Sequence, residues 1–245
     1  MLNFITRGQV DHPPLLFLHG FLGAKEDWNE VMAALEKRFY CIAIDLPGHG
    51  SPLTDNFPKI LEKTLRHQKL EKVVLVGYSM GGRLALMAAK ELPELFSRTI
   101  VISAHPGLRE EKEKVQRLDE DLKWERLLKT SHLEEFVALW YQQPLFDSLR
   151  KKRDLFAKVV KRRVQHNASS LSSVLHLYGL GVLSPTLHFS PQTFFLCGEK
   201  DLKYTELYKK IVPSKQLKIL KECGHALHLE TPEACANTLE QLLTR

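Results

Sequence analysis

The sequence predicts an α/β fold, a mostly parallel, doubly wound sheet with a helical lid inserted between core strands. Three observations carry that prediction. Short, continuous apolar runs recur at 15–18, 40–44, 73–76 and 193–197; a strand buried on both faces reads this way, without polar alternation. Through the first hundred residues these runs alternate with stretches of helical spacing, the pattern of a parallel sheet wrapped by helices. From about residue 106 to 184 no convincing strand occurs and helical stretches follow one another. The chain is therefore read as a first core segment (1–105), a helical lid (106–184) and a second core segment (185–245).

In chain order, residues 2–5 form a short first strand, and Pro13-Pro14 leads into the strand at 15–18. The loop His19-Gly20-Phe21-Leu22-Gly23 follows at that strand's carboxyl end, the edge where open parallel sheets bind ligands. Residues 26–39 have helical spacing through Trp28, Val31, Met32 and Leu35, and the strand at 40–44 runs into the turn Asp45-Leu46-Pro47-Gly48-His49-Gly50. A helix at 56–70 precedes the strand at 73–76. A post-elbow helix closes over 91–96, and a further strand spans 99–103. The lid carries helices at 110–129, 133–141, 150–163 and 168–177. Strand 193–197, helix 205–211, strand 216–220 and helix 232–244 complete the chain.

With 245 residues, 44% of them hydrophobic, the chain is long enough for one large domain with a sizeable core. No run approaches a membrane span and the N-terminus lacks a signal-peptide apolar region, so a soluble, cytoplasmic protein is expected. Cys41, Cys197, Cys223 and Cys235 show no CxxC spacing, which argues against a zinc site. The formal charge of +6 concentrates at 109–126 and 150–163, interleaved with acids and apolar residues as on solvated helix faces. Without aromatic platforms or a recognised module, nucleic-acid binding is not expected. An anionic small-molecule substrate needs only two or three of these arginines.

The chemistry centres on Gly77-Tyr78-Ser79-Met80-Gly81, directly after an apolar strand and before a helix-like stretch. In this G-x-S-x-G pattern the glycines permit a strained strand-to-helix turn that exposes the serine hydroxyl at a helix N-terminus. A serine needs a neighbour to take its proton. Candidates follow later strands: Gly198-Glu199-Lys200-Asp201 and Gly224-His225. The order Ser79, Asp201, His225 is that of an α/β-hydrolase fold. His225 would accept the serine proton, and Asp201 would fix its tautomer and stabilise the imidazolium. Glu199 is an alternative acid, and His228 lies nearby but inside the following stretch. The backbone N–H groups of Phe21 and Met80 are the natural oxyanion donors.

Seven segments together resemble one family nearly end to end: His19-Gly20-Phe21-Leu22-Gly23, Asp45-Leu46-Pro47-Gly48-His49-Gly50, the serine elbow with Gly82-Arg83, His105-Pro106-Gly107-Leu108, Trp140-Tyr141-Gln142-Gln143-Pro144-Leu145-Phe146, Gly198-Glu199-Lys200-Asp201-Leu202-Lys203 and Gly224-His225-Ala226. This is the 2-succinyl-6-hydroxy-2,4-cyclohexadiene-1-carboxylate (SHCHC) synthase family of menaquinone biosynthesis. The resemblance implies a lyase that expels pyruvate from a polycarboxylated substrate after proton abstraction, with Ser79 as the base and no cofactor. It also implies that Arg83, Arg117 and Arg163 pin carboxylates, with Arg162 adjacent to the last, and that Tyr78, Trp140 and Tyr141 line the pocket. The sequence departs from the family in a short loop at 50–59, a reduced N-terminal strand pair and a lysine-rich lid. The alternative is an ester or carbon–carbon-bond hydrolase with the same triad, and a monomer or small homo-oligomer suits either.

Overall fold

A computed structural model describes residues 1–186 and 188–243 and builds them around one seven-stranded sheet. Its strands are β1 (Phe4–Arg7), β2 (Pro14–Leu18), β3 (Tyr40–Ile44), β4 (Val73–Tyr78), β5 (Phe96–Ile102), β6 (Thr193–Gly198) and β7 (Leu217–Leu220), in the order β1-β3-β2-β4-β5-β6-β7. All pairings are parallel except β1 with β3, where Phe4 faces Ile44. The first strand begins two residues later than expected. Leu2 is buried in the core, and its N–H donates to Thr64 Oγ1 at 3.1 Å, so it anchors the terminus instead of joining the ladder.

The continuous apolar runs have the predicted cause. Along β2, Leu15 and Phe17 enter one core layer with Trp28, Met32 and Leu239, while Leu16 and Leu18 enter the other with Leu61, Leu84 and Ala88. The first layer is covered by α1 (Asn29–Leu35) and α11 (Pro232–Leu243), the second by α2 (Phe57–His67) and α3 (Met80–Glu91). The helix expected at 26–39 is shorter, because Lys25–Trp28 forms a 3₁₀ turn before α1. The Asp27 carboxylate accepts the Ala24 N–H there, tightening the turn. Phe96 begins β5 instead of closing α3, since Pro93 cannot continue the helix. The expected last helix extends to Thr244, which lies outside the described residues.

Between β5 and β6 the chain forms α4 (Glu111–Thr130), α5 (Leu133–Trp140), α6 (Asp147–Lys151), α7 (Arg153–Arg163) and α8 (Ala168–Tyr178), with no strand among the described residues of that stretch. Phe136, Val137, Tyr141 and Leu171 from this insertion pack into the first core layer. After β6 comes α9 (Leu202–Ile211), and after β7 the short α10 (Leu227–Glu230). Because β2, β4, β6 and β7 are parallel, the loops holding Phe21, Ser79, Asp201 and His225 all emerge at one sheet edge. Among the described residues no helix is long and apolar enough to cross a membrane.

Candidate active site

Ser79 occupies the sharp turn between β4 and α3, with φ 52° and ψ −113°. That conformation is costly for a residue with a Cβ and persists only where its surroundings enforce it. Here the Ser79 N–H donates to Ile102 O of β5 at 2.8 Å, and its own carbonyl accepts the Gly82 N–H at 3.0 Å. The flanking glycines are steric requirements. A Cβ on Gly77 would lie 2.3 Å from Gly81 O, and one on Gly81 would lie 2.4 Å from His19 O. Met80 is the first residue of α3, so its N–H has no intrahelical acceptor.

The loop after β2 is held by two histidines. His19 Nε2 accepts the Leu46 N–H at 3.0 Å while Nδ1 donates to Gly20 O at 2.7 Å. His49 Nε2 accepts the Leu22 N–H at 3.1 Å, and Nδ1 donates to Pro47 O. Each ring is thereby fixed as a neutral tautomer with its proton on Nδ1. Burial lowers the pKa of His19 to about 4 and that of His49 well below the usual histidine value. The two rings set the path of the backbone that presents the Phe21 N–H.

Asp201 and His225 are both buried, and His225 Nδ1 meets Asp201 Oδ2 at 2.8 Å. With Nδ1–H donating to the carboxylate, Nε2 is the nitrogen left for proton transfer. The imidazole is packed by Tyr78, Tyr204 and Phe146, whose ring centroids lie 5.2, 5.2 and 5.8 Å away. Among the described residues the Ser79 hydroxyl makes no hydrogen bond to His225; such contacts commonly tighten only when substrate is bound. Glu199 instead accepts the Glu222 N–H at 3.4 Å, and His228 stacks between Trp28 and Tyr78, so neither takes part in the Asp201–His225 pair.

Tyr78, Trp140, Tyr141 and Arg163 line one cavity with Ser79 and Phe21. Arg163, not Arg162, is the arginine at the serine; Arg162 lines an open groove on the outer side. Arg163 is already engaged. Its Nη1 and Nη2 donate to Asp27 at 3.0 and 2.7 Å, and Nε donates to Tyr141 Oη at 3.0 Å. One N–H on each terminal nitrogen is left over. Burial opposes both charges of the pair, yet Arg163 and Arg162 hold Asp27 down to about 2, and Asp27 raises Arg163 above its ordinary value. The cavity holds only about 30 Å³, far less than a polycarboxylated ring requires.

Arg83 and Arg117 lie outside the lining of this cavity. Arg83 Nη2 donates to Tyr178 O at 3.0 Å, and Arg117 Nε donates to Asp121 Oδ1 at 2.9 Å. They are neighbours: burial and the Arg117 charge together bring Arg83 down to about 10. Lys203 joins them, its pKa lowered by burial and by Arg117. Asp27 and the His19–His49 pair escape sequence reasoning as site residues. Asp27 sits among Lys25, Glu26 and Asn29 in a polar stretch of helical spacing, and no local signal marks it as the partner of a residue 136 positions away.

Residues 15–238 match the alpha/beta hydrolase family. Among curated relatives, the 2-succinyl-6-hydroxy-2,4-cyclohexadiene-1-carboxylate synthase of Escherichia coli O1:K1 is 35% identical over 96% of both chains. Its counterpart in the Escherichia coli strain UMN026 is 36% identical over the same shares. Among solved structures, MenH from S. aureus superposes with a TM-score of 0.89 at 27% identity, covering 99% of this chain and 97% of the other. A thermophilic esterase from Thermogutta terrifontis superposes with a TM-score of 0.82 at 20% identity, over 99% and 93% of the two chains, a likeness of fold alone. The serine elbow, the strand order and these relatives agree, and the chain belongs to the SHCHC synthase family within the alpha/beta hydrolases.

Proposed function

We propose that this chain is a lyase that eliminates pyruvate from a polycarboxylated cyclohexene intermediate (SEPHCHC) to give SHCHC in menaquinone biosynthesis, acting in the cytoplasm. Ser79 Oγ, its proton passed to His225 Nε2, removes a ring proton. The electron pair left on carbon forms the new C=C bond, the C–O bond to the enolpyruvyl group breaks, and the departing enolate takes the proton held by the His225 imidazolium to become pyruvate, restoring neutral His225 and the Ser79 hydroxyl. Water is not consumed. Asp201 stabilises the imidazolium formed in the first step, and the N–H groups of Phe21 and Met80 face the negative charge that develops.

The observation that carries this reading is a guanidinium at the serine. Arg163 lies in the Ser79 cavity with donors to spare, and a planar guanidinium matches a carboxylate. Arg83 and Arg117, beside Lys203, supply a second cationic locus for the other carboxylates. An open cleft of about 740 Å³ reaches Asp201, and it carries Lys151, Lys152 and Lys203 beside Asp147 and a Lys200–Glu222 ion pair of 3.0 Å. Since the cavity is too small for the substrate, the helices over 106–184 act as a lid that moves aside to admit it and closes to exclude water. The test follows pyruvate release from the intermediate beside nitrophenol release from a short p-nitrophenyl ester. Fast pyruvate release with negligible esterase activity is expected, and strong esterase activity without pyruvate would overturn the reading.

A further inference from the structure

The backbone that carries His225 is gripped by a carboxylate outside the triad. Glu230, buried at the end of α10, accepts the Gly224 N–H with Oε2 at 2.9 Å and the Ala226 N–H with Oε1 at 3.2 Å. The backbone N–H groups of the residues on either side of His225 are thus held by one side chain. The same Oε2 accepts Ser148 Oγ–H at 2.5 Å, and Ser148 belongs to α6 in the lid. A second lid residue, Lys152, donates from Nζ to Glu230 O at 2.7 Å. The contact is close: a Cβ on Gly224 would fall 2.6 Å from Ser148 Cβ and 3.2 Å from Glu230 Oε1. Phe146, two residues before Ser148, lays its ring edge against His225.

We propose that Glu230 is a positioning residue that couples the seating of lid helix α6 to the alignment of His225. When α6 sits down, the Ser148 hydroxyl and the Lys152 ammonium complete the bonding of Glu230, which then holds the backbone on either side of His225 so that Nδ1–H points at Asp201 and Nε2 is left free for proton transfer. When α6 lifts to admit substrate, Glu230 loses both lid partners and its hold on the histidine loop loosens. Proton transfer is thereby confined to the closed, water-excluded state. A carboxylate suits the task because one group can accept several N–H and O–H donors at once, whereas an amide offers a single acceptor atom.

The inference rests on the reading of His225 as the proton relay, and its test has a readout that needs no substrate. The Nδ1–H proton shared by His225 and Asp201 is expected to give a low-field NMR resonance, assigned by its absence in His225→Ala. In Glu230→Gln this resonance is expected to broaden or vanish, with kcat for pyruvate release about 10- to 100-fold lower and KM within about twofold of the parent. Ser148→Ala removes only the lid's hydroxyl and should lower kcat about 3- to 10-fold at unchanged KM, with partial broadening. Glu230→Asp, which keeps the charge on a shorter arm, should recover part of the resonance. A parent-like resonance and kcat in Glu230→Gln would overturn the inference, as would parent-like values in Ser148→Ala if Glu230→Gln does not fold. Loss of the resonance in Glu230→Gln, in a protein whose parent releases no pyruvate, would support the positioning role while removing the proposed reaction.

Discussion

Replacing Arg163 separates its two duties. The guanidinium compensates the buried carboxylate of Asp27 and also presents spare donors beside Ser79. Arg163→Met leaves Asp27 buried against the half-exposed Arg162 alone, and removal of one partner from such a pair costs about 3–5 kcal/mol. The double variant Asp27→Asn/Arg163→Met should regain much of that loss in urea denaturation, since no buried charge is then stranded. Pyruvate release should stay low in both, and a double variant with parent-like kcat/KM would remove Arg163 from substrate binding. Ser79→Ala is the converse case, a chemical loss without a structural one. The hydroxyl contributes little to the core, so turnover should fall by at least ~10³-fold while the melting temperature stays within roughly 3 °C. The serine elbow was legible from its G-x-S-x-G pattern after an apolar strand, and the pairing of Asp201 with His225 from their order in the loops after the later strands. Asp27 and Glu230 were not, because what distinguishes each is a partner brought close only by the fold.

At the scale of elements, the core strands were legible because burial on both faces leaves an uninterrupted apolar run, as in β2 and β4. Their ends were less so. Residues 150–163 read as one helix, yet α6 ends at Lys151 and α7 starts at Arg153. Lys152 breaks the helix with φ −90° and ψ 72° and sends its ammonium to Glu230 O, a tertiary contact that spacing does not encode. The helical insertion meets the core through an aromatic cluster equally invisible to periodicity. Trp140 packs on Phe21, Trp124 and Phe136, with ring centroids 4.9, 5.0 and 5.8 Å away. It therefore joins α4 and α5 to the loop that carries Phe21. Trp140→Ala should loosen that loop as well as the pocket wall, lowering kcat/KM for pyruvate release about tenfold or more. A parent-like kcat/KM would show that the lid seats without this cluster.

For the whole molecule, the buried histidines set how stability responds to acid. Burial lowers the pKa of His228 to about 3 and that of His19 to about 4, and holds His49 well below its ordinary value. In the unfolded chain each titrates near 6.5. Below that pH the unfolded state binds protons that the folded state refuses, so stability falls as pH drops, by about 1.4 kcal/mol per histidine per pH unit, until each folded pKa is reached. Asp27 acts lower on the scale. Its folded pKa near 2 lies below the ordinary 3.8, so its contribution is complete above 3.8 and is lost as pH falls toward 2. The melting temperature should therefore decline steadily from pH 6.5 to pH 4, before the Asp27 pair begins to fail. His228 offers the cleanest test, because neither ring nitrogen has a hydrogen-bond partner among the described residues and its contacts are rings: Trp28 at 4.5 Å and Tyr78 at 4.3 Å. His228→Phe keeps that stacking and removes the titration. It should be at least as stable as the parent at pH 7 and about 2 kcal/mol more stable at pH 5, relative to the pH 7 difference, in urea denaturation. An identical pH dependence in parent and variant would mean that His228 takes up its proton in the folded protein without penalty, the Asp27 carboxylate then outweighing burial and the Arg163 charge.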